Sequence, residues 1–252
     1  MRKLLEKHRT SGNALPLIGG HRGCVCQYPE NTIQAMEEGL RQGASYLEID
    51  IQLSRDGIPV VYHDTDVSTK TGLPGFVHQY SYSELKDHWP LETFEDVMKW
   101  GKSGDVCFAL ELKSEPAFTH EANLALLGPM VEIVQGLGMF DNVEAFGIDY
   151  RVLKELKRIK PCFDIGLIVP AVHYDPVALM REYDAMIYLA YSFMIDKETS
   201  EALMNAGYYV SGAILRDETY IRHACSCHLD MFEHDEPEKA KELISSFHLF
   251  DG

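Results

Sequence analysis

Residues 47–53 read Leu-Glu-Ile-Asp-Ile-Gln-Leu, so that apolar and polar side chains alternate without a break. Side chains two positions apart on a β-strand lie on the same face. This stretch therefore has one apolar face and one face that carries Glu48, Asp50 and Gln52. A strand of a closed parallel barrel packs its apolar outer face against helices. In such a barrel both carboxylates would point toward the axis.

Seven further apolar runs have the length of strands, and helical patterns follow them. The strand-like runs lie at residues 15–19, 106–112, 143–146, 165–169, 185–189, 208–212 and 231–232. The helical patterns lie at residues 32–41, 91–101, 123–137, 151–159, 176–183, 197–206, 217–224 and 237–247. Eight strand–helix pairs predict an α/β protein, a TIM (β/α)8 barrel of roughly 250 residues, as a single domain over residues 1–252. A doubly wound open sheet is the alternative.

The segment after the second strand breaks this alternation. Residues 53–63 are typical of a hairpin that turns at Asp56-Gly57. Residues 64–90, rich in Gly, Tyr and Thr, predict a small insertion after strand 2. Barrel enzymes keep their active sites on the face where such loops emerge, so the insertion would border the site.

The composition restricts the partners of the chain. The formal net charge is −16, which repels nucleic acid and, at long range, any free anion. No apolar run approaches the ~20 residues that cross a bilayer, and residues 1–9 lack the apolar segment of a secretory signal. We therefore expect a cytoplasmic protein without nucleic acid or integral membrane partners. The oligomeric state stays open.

The six cysteines include two Cys-x-Cys pairs, Cys24/Cys26 and Cys225/Cys227. Their spacing differs from that of Cys-x-x-Cys zinc motifs, and six thiols are too few for a disulfide framework in a chain of this length. We interpret them as reduced thiols. The role of Cys24 and Cys26, which lie in the loop after the first strand, stays open.

A third inward carboxylate comes from residues 110–113, Leu-Glu-Leu-Lys, in which Glu111 and Lys113 share a face. Three carboxylates inside a barrel need a compensating cation or a water-filled mouth. Oxygen ligands without a thiol favour Mg²⁺ or Ca²⁺ over zinc. The sequence therefore predicts a divalent metal site at Glu48, Asp50 and Glu111. We expect Asp50→Ala to remove an uncompensated charge and so to stabilise the metal-free fold.

The first strand ends in His21-Arg22, and a second histidine, His63, ends the hairpin. Arginine suits bidentate contact with phosphate, and histidine suits proton transfer near neutral pH. Both histidines would lie over the same mouth, which makes them candidates for acid and base. Asn31 precedes the first helical pattern and has the side chain of a helix N-cap.

These residues form a series of short motifs in a fixed order. In chain order they are His21-Arg22-Gly23, Pro29-Glu30-Asn31-Thr32, Glu48-Ile-Asp50, Asp56-Gly57, His63-Asp64 and Glu111-Leu-Lys113. Their order and approximate spacing resemble the glycerophosphodiester phosphodiesterases, whose fold is similar to that of the phosphatidylinositol-specific phospholipases C. The resemblance is dense over residues 17–113 and weaker beyond them.

The resemblance implies a TIM barrel that hydrolyses glycerophosphodiesters to glycerol 3-phosphate and an alcohol, with a divalent ion and two histidines. The implied roles are a Mg²⁺, Ca²⁺ or Mn²⁺ ion on Glu48, Asp50 and Glu111, acid and base at His21 and His63, phosphate contacts from Arg22 and Lys113, and support from Glu30 and Asn31. By analogy, His63 would be the acid toward the leaving alcohol.

The second half of the chain departs from the family pattern. Gly147-Ile148-Asp149 stands where the family often has Ser-Phe-Asp, Ala213-Ile214 where it has Trp-Thr, and His234-Asp235 where it has Thr-Asp. Because these positions line the substrate side of the mouth, the alcohol headgroup stays open. One alternative is a phospholipase D-like barrel acting on lysophospholipids, which the absence of an exposed apolar run disfavours. A catalytically inactive binding barrel is the other.

Overall fold

Among residues 1–12 and 15–247, which the computed structural model describes, eight parallel strands form a closed barrel with helices outside it. The strands are β1 Leu17–His21, β2 Tyr46–Leu53, β3 Pro59–Val61, β4 Glu92–Thr93, β5 Phe108–Leu112, β6 Val143–Gly147, β7 Ile165–Ile168, β8 Ile187–Leu189, β9 Tyr209–Ile214 and β10 Met231–His234. β1 pairs with both β10 and β2, and this double pairing closes the barrel. β3 and β4 are antiparallel and lie outside it.

The helices follow the barrel strands in the predicted alternation. They are α1 Arg2–Thr10, α2 Ile33–Arg41, α3 Ser68–Thr71, α4 Tyr82–Lys86, α5 Phe94–Ser103, α6 Pro116–Leu137, α7 Tyr150–Ile159, α8 Pro176–Tyr183, α9 Lys197–Asn205, α10 Glu218–Ser226 and α11 Pro237–Phe247. The predicted TIM barrel is confirmed, and the open sheet is wrong because β1 has a partner on each side. Residues 13, 14 and 248–252 of the predicted domain lie outside the described residues. No helix in the described part of the chain is long and apolar enough to cross a membrane.

The alternation along β2 separates two cores. Leu47, Ile49 and Ile51 pack in the layer between barrel and helices, whereas Tyr46 lies inside the barrel. The ring of Tyr46 fits only because residue 19 of β1 is a glycine, since a Cβ at Gly19 would stand 2.4 Å from the ring. With its outer positions apolar, β2 directs its carboxylates inward.

The predicted hairpin forms, and the chain that follows it makes its own small core. β2 pairs with β3 so that Leu53 faces Pro59, and the turn contains Gly57 at φ +78°. Val60, Tyr62, Val67, Val77, Leu85 and Leu91 pack together beneath this segment. β4 then pairs with β3 and leads into α5. This packing fixes the position of His63 over the barrel mouth.

Helix α1 was not predicted from the sequence. Met1 and Leu5 are fully buried and pack with the residues inside the barrel. Arg9 at the other end of the helix binds Asp230, with Nε 2.6 Å from Oδ1. The helix therefore covers the end of the barrel where β10 begins, opposite the ends of the strands that carry the site.

Glu144 and Glu233 are carboxyl groups buried inside the barrel. Glu233 accepts a hydrogen bond from the Tyr46 hydroxyl at 2.8 Å, whereas Oε2 of Glu144 has no hydrogen-bond partner among the described residues. Burial raises the pKa of Glu144 to about 8 and that of Glu233 to about 7. Both groups are therefore largely protonated in the fold at slightly acid pH.

Glu144→Gln should make the protein less sensitive to alkaline pH. A carboxyl whose pKa is raised in the fold binds its proton more tightly there than in the unfolded chain, so stability falls as pH rises from about 4.5 to about 8. The variant should gain up to about 4 kcal/mol relative to the native chain between pH 5 and pH 9. Urea unfolding across this range measures the gain. Glu132→Gln, an exposed change on α6, is the control, and equal pH slopes for Glu144→Gln and the native chain would contradict the prediction.

Candidate active site

His21 ends β1 and is held by a carboxylate that follows the neighbouring strand β10. Its Nδ1 lies 2.6 Å from Oδ1 of Asp235, which follows β10 and also accepts hydrogen bonds from Arg216. Burial would raise the pKa of Asp235, but these hydrogen bonds outweigh it and lower that pKa. Burial also lowers the pKa of His21, despite its contact with Asp235. A neutral His21 that donates from Nδ1 to Asp235 has its lone pair on Nε2.

The three predicted carboxylates meet near the axis of the barrel. Asp50 of β2 lies beside Glu111 of β5 in the strand register. One oxygen from each of Glu48, Asp50 and Glu111 lies within 4.8 Å of the other two. Within the described residues, Oε1 of Glu48 and Oδ1 of Asp50 are buried without a hydrogen bond. Buried carboxylate oxygens of this kind need a further cation or a proton.

The three carboxyl groups differ in how far nearby positive charges offset the cost of their burial. Burial, followed by the nearby Asp50 and Glu111, raises the pKa of Glu48 well above its usual range. Burial would also raise the pKa of Asp50, but Lys113 and Arg22 outweigh it and lower that pKa. The Lys113 ammonium is 3.6 Å from Oδ1 of Asp50 and 2.8 Å from Oε1 of Glu111. Asp50 is thus a compensated charge, which contradicts the premise on which its removal was expected to stabilise the metal-free fold. Glu48 is the uncompensated member.

The loop after β1 places Arg22, Glu30 and Asn31 around Asp50. Arg22 and Asn31 both have left-handed backbone conformations, at φ +52° and +62°. Asn31 donates from Nδ2 to Asp50 at 2.8 Å and accepts from the Asp50 backbone N–H at 3.2 Å. The cap of α2 is Thr32, whose hydroxyl accepts from the backbone N–H of Ala35 at 3.3 Å. Asn31, whose side chain alone would suit a cap, therefore does not cap α2, since its amide holds Asp50.

A line of alternating charges connects Arg22, in the loop after β1, to His63, in the segment after β3. Arg22 contacts Glu30 at 2.8 Å, Glu30 contacts Lys70, and Lys70 is 2.9 Å from Asp64. Asp64 in turn lies 2.6 Å from Nδ1 of His63. Each histidine therefore has its own carboxylate, Asp64 for His63 and Asp235 for His21.

A pocket of about 400 Å³ opens at the carboxyl ends of the barrel strands. Among the residues predicted for the site, those lining it are His21, Arg22, Glu48, His63, Glu111 and Lys113. Asp50 and Glu30 both form ion pairs with Arg22, and Asn31 donates a hydrogen bond to Asp50. The opposite half of the pocket is apolar and comes from β6, β7, β8 and β9 with the loops that follow them. The structure thus brings all nine predicted residues to one mouth.

Three contributors had no assigned role in the sequence interpretation. Asp64 stood in a motif and Asp235 in the closing segment, but nothing in the sequence shows which histidine each contacts. Lys70 comes from the insertion, where no pattern marks it. Residues that contact a histidine across 214 positions of chain, as Asp235 does, become visible only in the fold.

The thiols of Cys24 and Cys26 lie close together in the loop after His21, and Cys24 is buried whereas Cys26 is exposed. Sγ of Cys24 is 3.1 Å from Sγ of Cys26, and it accepts a hydrogen bond from Gln42 at 3.1 Å. Burial raises the pKa of Cys24 to about 12, so its thiolate is scarce at neutral pH. These contacts favour a packing role over a nucleophilic one.

The double substitution Cys24→Ser and Cys26→Ser should therefore keep most of the turnover under reducing conditions. Serine preserves a small polar side chain beside Gln42 and removes only the sulfur chemistry. Steady-state turnover of the two proteins in the presence of a thiol reductant measures this. A loss as deep as that of His21→Ala would give the thiols a catalytic part.

Comparisons with known proteins agree with this geometry. The model of the glycerophosphoryl diester phosphodiesterase family matches residues 21–186. The Bacillus subtilis protein YqiK is 37% identical over 170 residues, which cover 63% of this chain and 68% of that protein. A glycerophosphodiester phosphodiesterase of Caldanaerobacter subterraneus is 25% identical over 199 residues, covering 76% and 82%. An Oleispira antarctica phosphodiesterase, solved in complex with the product sn-glycerol-3-phosphate, shares the fold, with a TM-score of 0.81, 23% identity and coverage of 92% and 97%.

Proposed function

Because this chain belongs to the glycerophosphoryl diester phosphodiesterase family, we propose that it hydrolyses glycerophosphodiesters to glycerol 3-phosphate and an alcohol. The observation that carries the proposal is the meeting of two carboxylate-paired histidines with Arg22 and Lys113 in one pocket. Phosphodiester cleavage needs a base, an acid and positive charge near the phosphate. The product seen with the Oleispira relative supports the same substrate class.

We assign a divalent ion to Glu48, Asp50 and Glu111. The buried carboxylate oxygens without hydrogen bonds support a cation among them, and an all-oxygen set suits Mg²⁺, Ca²⁺ or Mn²⁺. Such an ion, when bound, stabilises negative charge on the phosphate. Arg22 and Lys113 lie on the open side of the carboxylates and add the remaining positive charge.

The two histidines have separate roles in this proposal. His21, with its lowered pKa and its Nδ1 held by Asp235, is the base that takes a proton on Nε2. His63, held by Asp64, protonates the leaving alcohol. The proton taken by His21 comes from the neighbouring glycerol hydroxyl, whose attack on phosphorus gives a cyclic phosphate that water opens. An internal attack of this kind is fast because the reacting atoms are already close.

Turnover of glycerophosphocholine tests the proposal against an inactive binding barrel. The protein is assayed with Mg²⁺, Ca²⁺ and Mn²⁺ in turn, and choline and glycerol 3-phosphate are both quantified. Equal molar release of the two products is expected, and the His21→Ala/His63→Ala double variant is the control. Absence of turnover with every ion, for this and for other glycerophosphodiesters, would leave the inactive barrel as the better interpretation.

A further inference from the structure

Cys24 and Cys26, which the proposed phosphodiesterase activity does not use, have thiols in direct contact. Their Sγ atoms are 3.1 Å apart, and both thiols are free. The sulfur atoms of a disulfide are about 2 Å apart, so a movement of about 1 Å would bring the two within bonding distance. All six cysteines lie in the described part of the chain, and no other two of them make such a contact. The contact therefore singles out this pair for thiol chemistry.

The second Cys-x-Cys pair shows that the spacing alone does not produce this contact. Cys225 lies in α10, and Cys227 caps its end. Residues two positions apart on a helix do not face each other. Sγ of Cys227 instead lies 3.6 Å from Nε2 of His223. The turn after β1 is thus what brings the first pair together, and the second pair is an internal control with the same spacing.

The thiols of Cys24 and Cys26 differ in their access to solvent. The side chain of Cys24 is fully buried, its backbone N–H donates to the Ala35 carbonyl at 2.8 Å, and Gln42 donates to its Sγ at 3.1 Å. Cys26 is exposed. A dissolved oxidant therefore reaches Cys26 first, with Cys24 directly behind it. Redox-sensitive cysteines commonly have this arrangement, in which an accessible thiol lies beside a second thiol that resolves the oxidised product.

We propose that Cys24 and Cys26 are an oxidative modification site, at which a hydroperoxide converts the two thiols into an intramolecular disulfide. The Cys26 thiolate attacks one peroxide oxygen, the O–O bond breaks, and the second oxygen leaves with the thiol proton as water or an alcohol. Sγ of Cys24 then attacks the resulting sulfenic sulfur. The S–O bond breaks, the S–S bond forms, and the hydroxyl leaves with the Cys24 proton as water. The two thiols lose two electrons, which the hydroperoxide takes up.

The position of Cys24 makes the second step efficient despite its weak acidity. Burial raises the pKa of Cys24 to about 12, so its thiolate is scarce near neutral pH. A less acidic thiol is, however, the stronger nucleophile once it is ionised. The 3.1 Å separation also makes the attack intramolecular, and well-oriented attacks of this kind have effective molarities of about 10⁵ M or more.

The loop that carries the pair is fixed on the Cys24 side. Gly23 packs so closely on helix α2 that a Cβ there would stand 2.4 Å from the backbone of Ala35. The backbone hydrogen bond from Cys24 to Ala35 holds the next residue as well. When the S–S bond forms, the segment from Cys26 onward therefore has to move.

That segment leads to two residues of the candidate active site. Asn31 closes the loop, because its backbone N–H donates to the carbonyl of Arg22 at 3.0 Å. Glu30 contacts the guanidinium of Arg22 at 2.8 Å. Since a displacement of about 1 Å in a reacting geometry costs up to about 100-fold in rate, the disulfide should lower kcat/KM by about tenfold to a hundredfold.

Mapping of the oxidised cysteines tests the site without reference to any activity. The reduced protein is treated with hydrogen peroxide, the remaining free thiols are alkylated, and the peptides are analysed by mass spectrometry. We expect a disulfide between Cys24 and Cys26, seen as a loss of about 2 Da that dithiothreitol reverses. Cys225 and Cys227 should form no disulfide with each other, and the exposed Cys162 should form none within the chain.

Two single substitutions assign the roles of the two thiols. In Cys24→Ser, Cys26 has no resolving partner and should proceed to the sulfinic acid, which dithiothreitol does not reduce. In Cys26→Ser, the buried Cys24 should stay reduced. The proposal is overturned by a native chain in which Cys26 accumulates as sulfinic acid as fast as in Cys24→Ser. It is also overturned if Cys225 and Cys227 form a disulfide as readily as the first pair.

Turnover of glycerophosphocholine with a saturating divalent ion tests the link to the active site. It is measured before oxidation, after oxidation and again after treatment with dithiothreitol, and kcat/KM should fall and then recover. The Cys24→Ser/Cys26→Ser double variant, treated identically, should not change. A disulfide that leaves kcat/KM unchanged, or an equal loss in the double variant, overturns the link to Arg22. If no substrate is turned over, the proposed function fails, whereas the peptide mapping still decides the modification site.

Discussion

Alanine at position 63 should lower turnover of an alkyl glycerophosphodiester by about 10²–10⁴-fold while nearly sparing a nitrophenyl diester. An alkyl alcohol leaves poorly as an alkoxide and needs the proton that His63 would give it. Nitrophenolate is a stable leaving group and needs none. Since the side chain of His63 is only half-buried, its removal should leave the barrel folded.

His21→Ala should instead reduce turnover of both substrates by about 10²–10⁴-fold, because the base acts before the leaving group matters. The measurement is kcat for each variant on matched alkyl and nitrophenyl diesters of glycerol. Asp235→Asn tests the contribution of Asp235 to the position and basicity of His21, since it keeps the shape of the Asp235 side chain but weakens its hydrogen bond to His21. Equal losses on both substrates for both histidine variants would show that the division into base and acid is wrong.

Removal of divalent ions should abolish turnover, with a loss of at least about 10³-fold, because a bound ion supplies several kcal/mol of charge stabilisation. Glu111→Gln should lose ion binding and turnover together. Glu144→Gln makes the same chemical change at a buried carboxyl that does not line the pocket, and it should retain both. Calorimetric titration of Mg²⁺, Ca²⁺ and Mn²⁺ into the dialysed proteins measures binding apart from activity.

The metal-free fold adds a second readout. Glu48→Gln should increase the free energy of unfolding without metal, because Glu48 is the one of the three site carboxyls that makes no ion pair with a described lysine or arginine. Asp50→Ala should decrease it, because Arg22, Asn31 and Lys113 then lose their shared partner. Full activity in dialysed, ion-free protein would refute the metal proposal.

The alternation in residues 47–53 was sufficient to place the carboxylates, and the physical reason is simple. Side chains alternate between the two faces of a strand, and in a closed barrel one of these faces points to the interior. The same logic placed Glu111, because β5 lies beside β2 in register. Local rules of this kind need no knowledge of distant contacts, which is why the eight strands and the site face were predictable.

Other features depend on contacts that no local rule describes. Helix α1 buries only Leu5, together with Met1 just before it, so its apolar pattern is too short to stand out. Asn31 has the side chain of a cap, yet the buried Asp50 competes for its amide and Thr32 caps the helix instead. The apolar half of the pocket left no run in the sequence because distant segments of the chain contribute Ile148, Tyr191 and Ile214.

The line of alternating charges from Arg22 to His63 means that Arg22, the proposed phosphate-binding cation, is held in place before any ligand arrives. A free arginine side chain has about 2 kcal/mol of rotamer entropy to lose on capture of a ligand. Here Glu30 and Asp50 hold the guanidinium, so folding has already removed much of that freedom. An arriving phosphate must then share Arg22 with Glu30 instead of immobilising it. If Arg22 binds phosphate as proposed, part of the binding affinity is given up in return for a guanidinium that keeps its ion pairs when the product leaves.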